Sequence, residues 1–138
     1  MFYSRTVAQL PAGWIGKDSI TLIAPDGGAN VIASTEPVDL EIDATRYAEI
    51  QGEILSTEFP GYHEIEFSAI ELTGGVPAYI RRFSWTPPDG ERVNQIQLYG
   101  LVGPGRALTA TATVTAIRLS EYEAILTKIL SSLSFNRE

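Results

Sequence analysis

Residues 108–116 are Leu-Thr-Ala-Thr-Ala-Thr-Val-Thr-Ala, a stretch in which apolar residues alternate strictly with threonines. An alternation with period two is typical of a β-strand that has one face against a core. The apolar residues of this stretch are mostly small, so a helix can pack closely against them. The other face carries only threonine hydroxyls. The stretch therefore predicts a sheet strand whose two faces differ in chemistry.

Two turns and two further β-prone runs precede this strand. Gly-Pro-Gly at 103–105 connects it to a run at 93–102, and Pro-Pro-Asp-Gly at 87–90 connects that run to a strand at 79–85. Proline and glycine are favoured in tight turns for their backbone geometry. Because strands joined by short turns pair antiparallel, these three strands are expected to form a meander.

The N-terminal half adds shorter β-prone segments. Residues 20–24 and 30–36 flank a Pro-Asp-Gly-Gly turn and predict a hairpin, and an earlier strand is expected to end near Leu10. Residues 65–72 lose their alternation after Ala69, which predicts a bulge. These segments bring the expected sheet to about six or seven strands.

Two segments have helical periodicity instead. Apolar residues recur three or four positions apart over residues 44–58, where Asp43 can cap the start and Pro60 ends the run. A second apolar stripe runs from about residue 120 to residue 132. The sequence thus predicts an α+β fold, an antiparallel meander sheet with helices packed on one face. No repeat or linker divides the chain, so residues 1–138 are expected to form one domain.

The composition excludes several classes of partner. The formal charge is −7 and the pI is near 4.7, so nucleic acid and anionic lipid would be repelled. No run approaches membrane-spanning length, so direct membrane insertion is not expected. The N-terminus lacks the apolar stretch of a secretory signal, which predicts a cytoplasmic protein.

No motif in the sequence indicates catalysis, a metal or a cofactor. The chain has no cysteine and a single histidine, His63. On a regular strand Glu64 and Glu66 would share one face and His63 would point to the other, so these three residues do not form a metal site. The serines lack the context of an activated nucleophile, and the glycine-rich turns are too short for a phosphate loop. We therefore expect a protein that is not an enzyme.

The threonine face permits two interpretations. Threonine forms strands well, so the face can simply be a half-solvated strand surface. Alternatively, the threonine hydroxyls, the amides of Gln95 or Gln97 and nearby aliphatic side chains form a shallow surface with few formal charges. Such a surface suits an uncharged guest such as a peptide or a hydrophobic helix, because no ion has to be desolvated when it binds.

Several motifs resemble those of a known family and occur in the same order along nearly the whole chain. They are Leu-Pro-Ala-Gly-Trp at 10–14, Ala-Asn-Val-Ile-Ala-Ser at 29–34, Phe-Pro-Gly-Tyr at 59–62 and Gln-Leu-Tyr at 97–99. In their order and spacing they resemble the DcrB/PsbP-like proteins. Within that family the chain is similar to the Eag-type (Rhs effector-associated) chaperones of type VI secretion effectors.

The resemblance implies a cytosolic chaperone or adaptor without enzymatic activity or cofactor. It would be a homodimer that binds the N-terminal hydrophobic, transmembrane helices of a secreted toxin effector on a concave sheet surface. By local matching, the resemblance assigns the client-binding groove to Ile20, Leu22, Asn30, Ile32, Ser34, Gln51 and Gln97. The alternative is a general protein-binding or structural subunit of the PsbP-like fold, which would recognise a folded protein partner.

Overall fold

A computed structural model of the protein describes residues 11–14, 18–72 and 74–133, so the strand expected to end near Leu10 lies outside the described residues. The two α-helices are α1 (Ala44–Glu58) and α2 (Leu119–Ser131), and the 3-10 helix Ala116–Arg118 leads into α2. The described strands are β1 (Asp18–Ile23), β2 (Ala29–Pro37), β3 (His63–Leu72), β4 (Val76–Trp85), β5 (Val93–Gly103) and β6 (Arg106–Thr115).

The six strands form one antiparallel sheet in the order β1-β2-β6-β5-β4-β3. Strands β3 to β6 follow one another as a meander, and the β1–β2 hairpin adds to its far edge through pairing of β2 with β6. The predicted α+β class and the antiparallel sheet are confirmed. The structure gives six strands in the described residues.

The two helices lie on opposite faces of this sheet, so the prediction that they share one face is wrong. Consecutive residues of β4 show the arrangement directly. The guanidinium of Arg81 donates to the carbonyl of Ala48 in α1 (3.1 Å), whereas that of Arg82 donates to the hydroxyl of Thr127 in α2 (3.1 Å). Adjacent strand residues point to opposite faces. The middle strands carry apolar side chains on both faces, and one helix packs on each face.

The larger core lies between α2 and the sheet. Ala110 and Ala112 of β6 are fully buried in it with Leu126 and Leu130 of α2. The small side chains of β6 therefore allow a helix to approach closely, as the alternating sequence predicted. The smaller core lies under α1, and its buried members are Tyr47, Ala48, Tyr99 and Ala107.

Helix α1 has the predicted bounds and the predicted cap. The carboxylate of Asp43 accepts a hydrogen bond from the amide of Arg46 (2.8 Å), which satisfies one free amide of the first turn. At the other end the chain leaves the helix at Phe59, whose ring packs against Trp85 with the ring centroids 4.2 Å apart. The helix is therefore fixed to the sheet at its C-terminal end.

Strand β3 contains a bulge between Glu64 and Glu66, and not after Ala69 as expected. The extra residue turns the two carboxylates to opposite faces, so the prediction that they share a face is also wrong. Glu64 accepts from Arg81 on the α1 side (2.8 Å), and Glu66 accepts from Arg82 on the α2 side (2.9 Å). A bulge shifts the alternation by one residue, which explains the difference.

Candidate functional site

Helix α1 covers β4 and β5, and among the residues that the structure describes no element covers the same side of β1, β2 and β6. We call this uncovered part the open face. Strand register places its side chains in three rows that run across the strands. The open face is formed by Ser19, Ser34 and Thr109 in the first row, Thr21, Ile32 and Thr111 in the second, and Ile23, Asn30 and Thr113 in the third.

The open face combines exposed apolar side chains with neutral polar groups. Ile23 is 69% exposed and Ile32 is 46% exposed, and none of the nine residues is ionisable. The next side chain along β2 on this face is Glu36, which accepts a hydrogen bond from the hydroxyl of Tyr47 (2.9 Å). The nine residues of the open face are therefore uncharged, and Glu36 adds a tethered carboxylate at one end.

One flank of α1 borders the open face. Tyr47 lies on that flank, because its hydroxyl bonds to Thr109 of β6 (2.8 Å) as well as to Glu36 of β2. Residues three and seven positions further along a helix share the same flank, and here they are Ile50 and Ile54. Ile54 is 41% exposed. Helix α1 thus adds an aliphatic wall beside the uncharged floor.

Three of the residues assigned to the groove come together on the open face, namely Asn30, Ile32 and Ser34. Gln97 lies on the same side of the sheet but is only 9% exposed, and its amide donates to the hydroxyl of Thr111 (3.1 Å). Gln51 is half-buried in α1, in the stripe of the helix that also contains Tyr47 and Leu55. Gln97 therefore lies beside the open face and contacts it through Thr111.

Ile20 and Leu22 lie on the other side of the sheet, so the structure does not bring them together with the remaining groove residues. Ile20 pairs with Ala33 and Leu22 pairs with Val31, and these partners belong to the α2 core. Both β1 residues pack against that core and are partly buried. Residues opposite each other in an antiparallel pair share a face, which separates them from Ile32.

A buried cation anchors the site, and sequence reasoning did not assign it this role. Arg81 is 5% exposed and bonds to Glu64, to the carbonyl of Ala48 and to the hydroxyl of Tyr99. Its guanidinium also lies 4.3 Å from the ring centroid of Phe67. Burial lowers the pKa of Arg81, but its contacts with Tyr99 and Glu64 outweigh burial and raise it. Arg81 therefore stays charged beneath α1.

Burial favours the protonated form of the phenol that lies beside this cation. Burial raises the pKa of Tyr99 to about 12, although the nearby charge of Arg81 lowers it in part. Burial likewise raises the pKa of Tyr47, whose hydroxyl joins α1 to β2 and β6. Both hydroxyls therefore remain neutral hydrogen-bonding groups at physiological pH. The sequence signal for Tyr99 was an aromatic residue on the side of β5 that faces α1, and the signal for Tyr47 was the apolar period of α1.

A second concavity lies on the opposite flank of α1. It has a volume of about 440 Å³ and is lined by residues of α1, β3, β4 and the turn before β3, namely Glu49, Gly52, Glu53, Ser56, Tyr62, Glu64 and Arg81. The hydroxyl of Ser56 donates to the carbonyl of Glu53 (3.1 Å). The cation at its floor is already paired with Glu64.

Two further observations concern metals and membranes. Among the residues that the structure describes, no three histidine, aspartate or glutamate side chains come together as a metal site. Within the same ranges, no helix is long and apolar enough to cross a bilayer.

Comparisons with known proteins give a family and a fold. The family model for DcrB matches residues 8–132. A protein of unknown function from Pseudomonas aeruginosa, PA94, superposes with a TM-score of 0.79 at 18% identity, over 94% of this chain and 90% of its own. The cyanobacterial PsbP protein CyanoP from Synechocystis sp. PCC 6803 superposes with a TM-score of 0.60 at 10% identity, over 95% and 98%. No curated protein matches the sequence. The predicted PsbP-like fold is confirmed.

Proposed function

Because the chain belongs to the DcrB family, we propose that it is a chaperone or adaptor that binds hydrophobic helices of a client protein on the open face. The proposed clients are the N-terminal transmembrane helices of a secreted toxin effector of a type VI secretion system. In this proposal the protein acts in the cytoplasm, as a homodimer and without catalysis. The client would be held before export.

The observation that carries the proposal is an uncharged face that α1 leaves uncovered. Exposed Ile23 and Ile32, with Ile54 on the wall, supply the apolar contacts that a transmembrane helix otherwise makes with lipid. Threonine, serine and asparagine side chains can meet polar atoms of the client. Because no ionised side chain has to lose its water, binding such a helix carries no large desolvation cost. On a charged face, the same client would have to remove water from the ions at a large cost.

Co-expression tests the proposal. The N-terminal hydrophobic segment of a candidate effector, fused to a soluble carrier, is expressed with and without this protein. We expect the segment to become soluble and to co-elute with the protein on gel filtration. Light scattering of the free protein and of the complex gives the number of subunits, which we expect to be two.

Two matched variants locate the binding surface. Ile32→Asp places a carboxylate in the middle of the open face, where a hydrophobic helix would bury it without a partner. We expect at least a tenfold loss of affinity, about 1.4 kcal/mol or more. Ile117→Asp makes the same change at a side chain that is 84% exposed in the 3-10 helix, and binding should be unchanged. Equal binding by both variants would contradict the assignment of the open face.

The alternative proposal is a general protein-binding or structural subunit of the PsbP-like fold that recognises a folded partner. The two proposed functions differ in the kind of partner that the protein binds. A chaperone of the proposed kind binds an isolated hydrophobic segment, whereas a structural subunit binds only a folded surface. If a pull-down retains a folded protein and the isolated segment stays insoluble, the alternative is correct.

A further inference from the structure

Two chains of hydrogen bonds run across neighbouring strands on the α1 side of the sheet and end on the open face. The longer chain starts at Arg81, which donates to the hydroxyl of Tyr99 (3.0 Å). Tyr99 donates to the amide oxygen of Gln97, and the amide nitrogen of Gln97 donates to the hydroxyl of Thr111 (3.1 Å). We call this chain the arginine relay.

The direction of the arginine relay is fixed by chemistry. A guanidinium donates hydrogen bonds and cannot accept them, so the Tyr99 hydroxyl accepts from Arg81 and uses its own proton toward Gln97. This contact fixes the orientation of the Gln97 amide, with its oxygen toward Tyr99. The amide nitrogen is thereby turned to Thr111. Each step of the relay points toward the open face.

The shorter chain has the same polarity. The indole of Trp85 is also a donor only, and it donates to the amide oxygen of Gln95 (2.8 Å). The amide nitrogen of Gln95 then donates to the hydroxyl of Thr113 (2.9 Å). We call this chain the tryptophan relay. Both relays begin at a group that cannot accept and end at a threonine.

The final hydroxyls therefore retain a proton to donate. A threonine hydroxyl has one proton and two lone pairs, and one lone pair accepts the hydrogen bond that the glutamine amide donates. No acceptor among the described residues engages the proton of Thr111 or of Thr113. Thr109 differs, because the hydroxyl of Tyr47 gives its proton to Glu36 and Thr109 must then donate to Tyr47. Thr111 and Thr113 are the donors of the open face.

We infer that the open face selects helices that present hydrogen-bond acceptors on successive turns. The inference rests on the proposed function and adds the chemistry of the client. Thr111 and Thr113 are two residues apart on one strand, which separates them by about 6.8 Å. Residues i and i+4 of a helix are separated by about 6 Å along its axis. Backbone carbonyls at this spacing can reach both hydroxyls where small side chains leave them accessible.

Two synthetic peptides serve as probes. Both are lysine-flanked, leucine-rich helices of the same length, and one carries alanine at two central positions four residues apart where the other carries leucine. Dissociation constants are measured by fluorescence anisotropy. The wild-type protein should bind the alanine peptide several-fold more tightly, because alanine exposes the carbonyls to Thr111 and Thr113.

Isosteric variants separate donation from apolar contact. Thr111→Val and Thr113→Val keep the side-chain shape and increase its apolar area, so a purely hydrophobic face would bind as well or better. We expect each to bind the alanine peptide about two- to tenfold more weakly and to lose part of the preference for it. Thr115→Val makes the same change at the end of β6, outside the nine residues of the open face, and should leave the preference unchanged. Thr111→Ser retains the hydroxyl and should restore binding.

Tyr99→Phe tests the relay itself. Tyr99 is fully buried, so it does not touch a client on the open face. Without its hydroxyl the Gln97 amide can turn and accept from Thr111, which removes the donor. We expect the loss seen with Thr111→Val, and no further loss in the double variant. Thermal unfolding of each variant confirms that folded protein was measured.

The outcomes distinguish the two proposals. If the wild-type protein binds neither peptide, the proposed function fails and this inference fails with it. If the wild-type protein binds both peptides equally, or if the two valine variants bind the alanine peptide as tightly as the wild type, the proposed function stands and the inference about donors is overturned.

Discussion

The substitution Gly52→Ala should destabilise the protein, although the same change in the middle of a helix usually has the opposite effect. Alanine in place of glycine favours a helix by up to about 1 kcal/mol. Gly52 lies within α1 directly above the buried guanidinium. A Cβ atom added there would lie 2.6 Å from Nη2 and 2.8 Å from Cζ of Arg81, which is too close for either atom to remain in place.

The cost follows from what holds Arg81. Its side chain is 6% exposed and bonds to Glu64, to the carbonyl of Ala48 and to Tyr99. Moving the guanidinium breaks at least one hydrogen bond to a charged group, which costs about 1.5–3 kcal/mol. After the helix gain is subtracted, Gly52→Ala should lower the free energy of unfolding by about 0.5–2 kcal/mol. For a domain of this size the melting temperature falls by about 2–8 °C.

Urea and thermal unfolding followed by circular dichroism measure this change, and a second background isolates its cause. Arg81→Met removes the guanidinium that the new methyl group would strike. In that background Gly52→Ala should recover the ordinary helix effect and stabilise the protein by up to about 1 kcal/mol. A rise in melting temperature when Gly52→Ala is made in the wild type would refute the reasoning. An equal fall in both backgrounds would also refute it.

Two further predictions concern the two cores. Burial holds the pKa of Tyr99 at about 12, above its ordinary value of 10.0, so the stability that this residue contributes should be full below about pH 10 and should fall as pH rises toward 12. Urea midpoints across that range should show a shallower fall in Tyr99→Phe, and an unchanged slope would contradict the assignment. Ala112→Leu adds a large side chain to a fully buried position of the α2 core and should cost about 1–3 kcal/mol of unfolding free energy. Thr21→Leu, on the exposed β1 edge, serves as the control and should change stability by less than about 0.5 kcal/mol.

Local features of the fold followed closely from the sequence. The bounds of α1 were predicted from its apolar period and from Asp43, because a cap and a period are properties of neighbouring residues. The antiparallel pairing of β4, β5 and β6 followed from their short turns. The two-faced character of β6 followed from its alternation, and both of its faces have the expected chemistry.

The predictions that were wrong concern features that depend on distant parts of the chain. An amphipathic helix shows that it covers a sheet, but its period does not show which face it covers. The assignment of Ile20 and Leu22 to the same groove as Ile32 was wrong for a related reason. Their pairing, in which Ile20 lies opposite Ala33, is set by the length of the turn, and the alternation within either strand does not reveal it. Similarly, the β3 bulge places Glu64 and Glu66 on opposite faces, and no glycine marks it in the sequence.

Arg81 shows most clearly why the site could not be completed from sequence. As one of two adjacent arginines on a strand it has no motif, yet the fold encloses its guanidinium between α1 and the sheet. The buried guanidinium needs hydrogen-bond acceptors there, because burying a charge without partners costs a large free energy. One of those partners is Tyr99, and through Tyr99 the cation determines how the Gln97 amide is turned. The same side chain therefore limits how large residue 52 of α1 can be and makes Thr111 a donor. A change at Arg81 should therefore alter both the stability of the protein and its preference for a client. A change at Thr113 should alter the preference alone, because the tryptophan relay does not pass through the buried cation.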